Sequence, residues 1–198
     1  MTMSRASRVR DKWREKRWYM MVAPSSFGNV EIGETPAANA KVLKGRKVET
    51  TLYAISGDFN QIHIKLYFQI DEIKGDKAYT HFTGHDFTRD YLRSLVRRGS
   101  SRVDGIFDVT TKDGYQIRIY AIAFPVRRAK TTQQSAIRTV MEKILIKRAK
   151  QLNFDAFIQE CVLGKLGSDI YNKAKVIFPL RKSEIRKSKL LTRPAAAS

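Results

Sequence analysis

The segment QIHIKLYFQI, residues 61–70, decides the fold of this chain. Its apolar side chains occupy every second position, namely Ile62, Ile64, Leu66, Phe68 and Ile70. Gln, His, Lys, Tyr and Gln fill the remaining positions. Alternation with a period of two is typical of a β-strand that buries one face and exposes the other. The segment therefore predicts a half-buried strand with a polar outer face.

Strand patterns continue on both sides of this segment. We expect further strands over residues 17–23, 29–34, 48–54, 77–83, 103–111 and 115–125. Asp113 and Gly114 give a strong hairpin signal between the last two strands. The Thr-Pro pair at residues 35–36 is expected to end the second strand. Residues 37–44 are expected to form a loop or a single helical turn.

A short helix is predicted among the strands, over residues 89–98. Thr88 stands at the N-cap position, and Asp90 in the first turn favours the positive end of the helix dipole. Gly99 is expected to end the helix. Its apolar face is expected to bury Leu92, Leu95 and Val96.

The apolar period changes from 2 to 3.6 after residue 126, which predicts helices. The first helical stripe consists of Ile137, Val140, Met141, Ile144, Leu145 and Leu152. Asn153 is expected to cap a second helix with the apolar residues Phe154, Phe157, Ile158 and Val162. A third helical piece is predicted over residues 168–176, and Pro179 ends the helical region. Residues 180–191 are expected to form a basic extended segment.

This order of elements predicts the α+β class. We expect a mostly antiparallel, β-barrel-like core with an inserted short helix, C-terminal helices packed on one side, and basic terminal arms. The expected organisation is a basic N-terminal arm over residues 1–16 and a single globular domain over residues 17–191. That domain is expected to be β-rich over 17–126 and helical over 131–178. Residues 192–198 are expected to be a flexible tail.

The charge of the chain is large and segregated. The 198 residues carry a formal net charge of +19. Counting Lys and Arg against Asp and Glu, residues 1–18, 88–102, 127–150 and 177–198 carry +5, +4, +7 and +5. The remaining residues are slightly acidic. Fixed like charges repel one another unless a polyanion offsets them, so this pattern indicates several patches that bind nucleic acid.

Several function classes are excluded or unsupported by the sequence. Apolar runs all fall short of the roughly 18 residues that a membrane-spanning helix needs. The N-terminus is basic but lacks the apolar segment of a secretory signal. Cys161 is the single cysteine, so an internal disulfide is impossible. Helix-turn-helix, zinc-finger and basic-zipper patterns for DNA are also missing, which favours a folded RNA as the partner.

Catalytic and metal-binding patterns are weak. His63, His81, His85 and Cys161 do not have the spacing of a structural zinc site, and we expect neither a metal nor a cofactor. The acidic candidates for a magnesium site are Asp71, Glu72, Asp104, Asp108 and Asp113. Asp104 and Asp108 could share a strand face, which leaves a metal-dependent RNA-processing enzyme as one alternative. A protein–protein adaptor whose charge serves only solubility is another. Ordinary turn and edge positions explain these acidic residues better, so we expect no catalytic residue.

The basic blocks define the candidate RNA-binding residues. They are Arg8, Arg10, Lys12, Trp13, Arg14, Lys16, Arg17, Arg89, Arg93, Arg97, Arg98, Arg102, Arg127, Arg128, Lys130, Lys147, Arg148, Arg181, Lys182, Arg186, Lys187 and Lys189. Arg89, Arg93 and Arg97 recur every four residues and would stack along one helix face. Guanidinium groups suit two-point contact with phosphate.

Three aromatic residues lie in or next to the first basic block, and one of them has two interpretations. Trp13 either stacks on an RNA base or anchors the arm on its own domain. Trp18 and Tyr19 fall within the first predicted strand, and we expect both to pack in the core or on the sheet.

Several stretches, taken together, resemble one known family. They lie at residues 10–13, 18–19, 23–24, 27–28, 45–46, 48–49, 51–52, 57–58, 66–68 and 91–115. The densest reads YLRSLVRRGSSRVDGIFDVTT, residues 91–111, and its RVDGIF portion is quite specific. In this respect the chain resembles the archaeal and eukaryotic small-subunit ribosomal protein family S-three-a-e, also named eukaryote-type S-one. The short length is similar to that of archaeal members.

The resemblance implies a cytoplasmic, non-enzymatic structural component of the small ribosomal subunit that supports translation. Members of the family bind rRNA on the platform, near the 3′ end of the small-subunit RNA and the mRNA exit. They also contact neighbouring small-subunit ribosomal proteins, and mRNA near the exit is a further partner that the position implies. A membrane and a small-molecule substrate are not expected. The resemblance also implies a barrel-like β core with helices.

Overall fold

The computed structural model describes residues 13–194, which fold into eight strands and six α-helices. The strands are β1 (Arg17–Val22), β2 (Glu31–Ala37), β3 (Lys47–Thr51), β4 (Ile64–Lys74), β5 (Lys77–Phe87), β6 (Val103–Thr110), β7 (Gln116–Pro125) and β8 (Leu180–Thr192). The helices are α1 (Ala40–Leu43), α2 (Leu52–Ser56), α3 (Arg89–Leu95), α4 (Thr131–Gln151), α5 (Phe154–Val162) and α6 (Lys165–Ala174). The α+β class is therefore confirmed.

The strands form one open, mostly antiparallel sheet that forks at β5. β4 pairs with β5 along nearly its whole length, and β3 pairs with β4. The other side of β5 is shared by two strands: β1 pairs in parallel at Lys77, and β8 pairs antiparallel at Gly84. β8 continues to β7 and β6, and β1 continues to β2. The C-terminal strand thus lies inside the sheet.

The two faces of the sheet differ in character because side chains alternate along each strand. One row of paired positions holds Leu66, His85, Ser188 and Ile119, all of which are buried. The next row runs through Tyr67, Gly84, Lys189, Arg118 and Asp108, and most of these side chains reach solvent. The first row belongs to an inner face that meets the core, and the second to an outer, polar face.

Helices α4, α5 and α6 cover the inner face and close the core. The main apolar cluster joins strand residues such as Phe68 and Ile119 to helix residues such as Met141 and Phe157. Gly167 of α6 lies so close to β8 that an added Cβ would stand 2.6 Å from the carbonyl oxygen of Ser183. Helices therefore pack on one side of the sheet, as the sequence predicted.

Several predicted boundaries are wrong. β2 runs through residues 35–36 instead of ending there, because Pro36 lies on the edge strand of the sheet, where its missing N–H is tolerated. β3 ends at Thr51, whose hydroxyl accepts a hydrogen bond from the Ala54 N–H and caps α2. Residues 52–54 are therefore helical and do not continue the strand.

Candidate nucleic-acid interface

Two basic loops meet at one end of the sheet. Because β6 and β7 are antiparallel neighbours, with Val103 opposite Ala123, the loop that enters β6 and the loop that leaves β7 emerge side by side. The Ser101 hydroxyl accepts a hydrogen bond of 3.0 Å from the backbone N–H of Ala129. We call residues 97–102 and 126–130 the basic loop pair. This bond, between residues 28 positions apart in sequence, joins two of the charge blocks in space.

A polar cleft of about 380 Å³ lies between these loops and the start of α4. Its lining consists of Gly99, Ser100, Ser101, Arg102, Arg128 and Gln134. The Gln134 side-chain amide donates to the Ala129 carbonyl at 2.9 Å, which fixes the second loop against the helix. Ser100, Ser101 and Gln134 were not predicted to line a binding surface, because single polar residues carry no periodic signal in a sequence. The cleft presents hydroxyl, amide and guanidinium donors together, a combination that suits a phosphate group.

Most cations of the basic loop pair are open to solvent. Arg97, Arg98, Arg127 and Arg128 are exposed and form no ion pair within residues 13–194. Lys130 at the start of α4 is exposed as well. Arg102 differs, since its guanidinium donates two hydrogen bonds, of 2.9 and 2.6 Å, to the Asp104 carboxylate. The open arginines supply positive charge without an internal counter-charge.

The predicted row of arginines on one helix is interrupted. α3 ends at Leu95, and Val96 adopts an extended backbone with ψ of 127°. The Arg181 guanidinium donates to the carbonyl of Leu95, so an external group caps this helix end. Arg89 and Arg93 lie one turn apart on α3, whereas Arg97 belongs to the basic loop pair. The predicted burial of Val96 is wrong, because its side chain is 48% exposed.

The basic residues of β8 are mostly engaged within the protein. Lys182 donates to Tyr91 and lies 2.7 Å from the Glu184 carboxylate. Lys187 lies 2.8 Å from the Asp86 carboxylate. Arg186 is half-buried, and Lys189 is exposed. Together with the contact of Arg181, these bonds dock α3 and β5 onto β8.

The C-terminal half of α4 carries a separate basic patch. Lys147 is exposed, while the Arg148 guanidinium lies 3.1 Å from the Asp169 carboxylate of α6. At 1.5 Å per residue, Lys147 lies about 25 Å along the helix from Lys130. This patch therefore does not join the basic loop pair.

The N-terminal candidates are only partly described. Arg8, Arg10 and Lys12 lie outside the described residues, so their predicted role stays a prediction. The Trp13 ring is 64% exposed, and the Lys16 ammonium lies 3.7 Å from its centroid. Arg14 and Arg17 are exposed.

The expected packing is confirmed for Tyr19 but not for Trp18. Tyr19 is buried, as expected, whereas Trp18 is 60% exposed. The alternation of β1 sends Tyr19 and Met21 inward and Trp18 to the other face.

The two acidic candidates on β6 lie apart, and each is paired with an arginine. Asp104 and Asp108 share a face of β6, but four residues of strand separate them by about 13 Å. Each carboxylate is bound by an arginine, with Arg118 donating to Asp108 at 2.7 and 2.8 Å. Residues 13–194 contain no group of three His, Cys, Asp or Glu side chains that could hold a metal ion.

The histidines and the cysteine have structural surroundings. His85 is fully buried, with Nδ1 2.7 Å from the Ser188 hydroxyl and Nε2 3.1 Å from the Ile185 carbonyl. Burial lowers the pKa of His85 to about 4, so the ring is neutral near pH 7. Burial also raises the pKa of the Cys161 thiol, which keeps it protonated. The ring of His63 stacks on Tyr91 at a centroid distance of 3.8 Å.

Comparison with known proteins assigns the chain to a family. The profile of the Ribosomal S3Ae family matches residues 4–194, and the chain belongs to this family. It is 48% identical over 193 residues to the small ribosomal subunit protein eS1 of Sulfurisphaera tokodaii, covering 98% of this chain and 100% of the relative.

Two further relatives with the same name agree. The protein of Staphylothermus marinus is 50% identical over 194 residues, and that of Archaeoglobus fulgidus is 49% identical over 195 residues. Each alignment covers 98% of this chain and 92% of the relative. The resemblance drawn from the sequence, including its archaeal character, is confirmed. None of the helices in residues 13–194 is long and apolar enough to cross a membrane.

Proposed function

We propose that this protein is a structural, non-catalytic component of the small ribosomal subunit that binds rRNA through the basic loop pair. The observation that carries this proposal is the hydrogen bond between Ser101 and Ala129, which joins the two loops. The ribosomal role follows from membership of the Ribosomal S3Ae family. Neighbouring small-subunit proteins are further partners that this role implies.

The physical basis is phosphate binding by guanidinium groups that two joined loops bring together. Arg97, Arg98, Arg127 and Arg128 project from loops that are tied to each other and to the sheet. Bringing these like charges together is unfavourable in the free protein, and RNA phosphates offset that repulsion. Binding also releases the counterions condensed on the RNA, so the affinity falls steeply as salt is raised.

We place this interface on the platform of the subunit, near the 3′ end of the small-subunit RNA and the mRNA exit. The family resemblance supports that position, and the segment that carries it most densely, residues 91–111, contains half of the basic loop pair. Lys130, Arg89 and Arg93 extend the proposed contact. Lys147, Arg17 and the basic residues before it are proposed as separate contacts.

Sucrose-gradient sedimentation of cell extracts tests the proposal. The variant carries Gln in place of Arg97, Arg98, Arg127 and Arg128. Because four phosphate contacts are removed, it should leave the small subunit at a lower salt concentration than the wild-type protein. A matched control replaces four exposed lysines elsewhere, Lys41, Lys44, Lys74 and Lys112, with Gln and should dissociate at the same salt concentration as wild type.

Two results would overturn the proposal at different levels. If the wild-type protein stays at the top of the gradient in low salt, it is not a component of the subunit. If the loop variant and the control leave the subunit at the same salt concentration, the basic loop pair is not the rRNA interface.

A further inference from the structure

The outer face of the sheet carries a second basic concavity, which we call the sheet trough. It measures about 540 Å³ and lies where β4, β5 and β8 meet. Its lining includes Lys47, Tyr67, His81, Lys187, Lys189 and Arg193. Lys47, Tyr67, His81 and Arg193 were not among the residues predicted to bind RNA. The alternation of residues 61–70 did predict that Tyr67 lies on the polar outer face, although it did not predict a binding surface there.

A glycine forms the floor of the sheet trough. Gly84 pairs with Tyr67 on one side and with Lys189 on the other, so these three residues share one row of the outer face. A Cβ at Gly84 would stand 2.3 Å from the carbonyl oxygen of Ser188, closer than any side chain tolerates. The row therefore contains a position without a side chain, with a phenol on one side and an ammonium group on the other.

The charge of the sheet trough is positive. No Asp or Glu occurs among its lining residues within the described part of the chain. Lys187 and Arg193 are held from outside the lining, by Asp86 at 2.8 Å and by Asp71 at 3.0 Å. Lys47 and Lys189 are exposed and form no ion pair with residues 13–194. Two positioned cations and two open cations thus surround the same space, which favours an anionic ligand.

Two ring systems line the trough beside these cations. His81 Nδ1 lies 2.7 Å from the Asp71 carboxylate, so the imidazole stands beside the acidic group that also holds Arg193. Burial and the charge of Arg193 lower the pKa of His81, so the ring tends to be neutral near pH 7. Tyr67 is half-buried, and burial raises the pKa of its hydroxyl, which keeps the phenol neutral. Neutral rings held on a sheet face are suitable surfaces for stacking of unpaired bases.

We propose that the sheet trough binds a short unpaired segment of RNA, with a base against Tyr67 and His81 and phosphates at Lys189 and Lys47. An acidic peptide would satisfy the cations but would leave the ring faces without a partner, so the observations favour RNA. The proposal shares with the proposed function only the premise that the partner is RNA, because it uses a different surface and a different form of RNA.

Fluorescence anisotropy with the full-length protein tests this proposal. The probe is a labelled eight-nucleotide oligouridylate, which has no duplex structure. Tyr67→Ala should weaken its binding about tenfold, the expected loss for one stacked base. Tyr67→Phe keeps the ring and should retain wild-type affinity. Lys189→Ala should weaken binding several-fold and reduce the salt dependence.

Matched controls exclude general effects on charge or folding. Tyr79→Ala removes an exposed tyrosine of β5 that lies outside the trough, and Lys112→Ala removes an exposed lysine of the β6–β7 turn. Both should bind the oligonucleotide like the wild-type protein. Circular dichroism at the assay temperature verifies that each variant is folded.

Three outcomes would overturn the proposal. The first is unchanged affinity in Tyr67→Ala, and the second is an equal loss in Tyr79→Ala. The third is displacement of the oligonucleotide by polyglutamate at equal charge concentration, which would assign the trough to an acidic peptide. The sedimentation assay distinguishes failure of this proposal from failure of the proposed function. If Tyr67→Ala stays on the small subunit and also binds the oligonucleotide normally, the proposal for the sheet trough is wrong and the proposed function is unaffected.

Discussion

The basic loop pair and strand β8 are both rich in basic residues but use their charges differently. Arg97, Arg98, Arg127 and Arg128 of the loops are open to solvent. In β8, by contrast, Lys182 and Lys187 are paired with acidic residues, and Arg181 caps α3. Positive charge in the sequence therefore indicates two different roles. One is an external surface for phosphate, and the other is a set of internal bonds that hold the sheet and α3 together.

The strongest test of the structural role of β8 is Gly84→Ala. The added Cβ would collide with the Ser188 carbonyl and push β8 away from β5. We expect a loss of about 3 kcal/mol in the free energy of unfolding, typical of a severe steric clash.

Urea denaturation of the purified protein measures this loss. The control is Gly75→Ala, where no atom lies within 4 Å of the new Cβ and only the positive φ of 63° is strained. It should cost about 1 kcal/mol. Equal losses in the two variants would mean that the close approach of β5 and β8 does not contribute.

The second prediction concerns pH and uses the buried pair of His85 and Ser188. The pKa of His85 is lowered to about 4 by burial, against about 6.5 in an unfolded chain. The unfolded chain therefore binds a proton below pH 6.5 that the folded chain does not bind. The stability contribution is complete above pH 6.5 and is lost as the pH falls towards 4, by about 2 kcal/mol at pH 5.

Denaturation at pH 7.5 and pH 5.0 tests this prediction. His85→Gln lacks the titrating ring and should lose less stability between the two pH values than the wild-type protein. Asp86 and Lys187, the charged neighbours of His85, are present in both proteins and so cancel in the comparison. A pH dependence that is the same in both proteins would contradict the assignment.

A smaller effect is expected from the contact between β8 and α3. Lys182→Ala removes the ion pair with Glu184. The Glu184 carboxylate then keeps one partner, the Tyr91 hydroxyl, which donates to it at 2.9 Å. We expect a loss of about 1 kcal/mol, because Lys182 is partly solvated and its ion pair is screened. Lys189→Ala on the same strand removes an exposed ammonium group and should leave stability unchanged. A loss in Lys189→Ala as large as that in Lys182→Ala would contradict the distinction between paired and open cations.

The smallest effect on stability is expected in the basic loop pair. Replacing both Arg127 and Arg128 with Gln should change the free energy of unfolding by less than about 0.5 kcal/mol, since neither side chain has a partner in the described protein. The slope of log affinity for rRNA against log salt should nevertheless fall by about 2. Filter binding at several salt concentrations measures the slope. A clear loss of stability would show that these arginines, like those of β8, serve the fold.

The sequence predicted much of the fold because the relevant signals are local. The alternation around Leu66 and Phe68 gave β4, and Asp113 with Gly114 gave the β6–β7 hairpin. The change of period gave α4. The position of β8 between β5 and β7 was not predictable, because its pairing partners lie about 55 to 105 residues earlier in the chain. α3 is shorter than predicted because Arg181, from that distant strand, caps its end.

The candidate site was less predictable than the fold, for a related reason. Basic residues are visible in the sequence, but their partners are not. Lys182 and Lys187 were predicted to bind RNA alongside Arg127 and Arg128, and the structure shows that the two lysines pair with acidic side chains. The sheet trough was missed because its residues come from β3, β4, β5 and β8, and they form a surface only once those strands pair.

The placement of β8 also determines when the protein is able to fold. Residues 180–192 are synthesised after the seven other strands, yet they fill the gap between β5 and β7. Until they leave the ribosome, the nascent chain presents two unpaired strand edges, which are prone to association with other chains. Contacts this distant in sequence also slow folding. The newly made protein is therefore prone to association until β8 is inserted between β5 and β7.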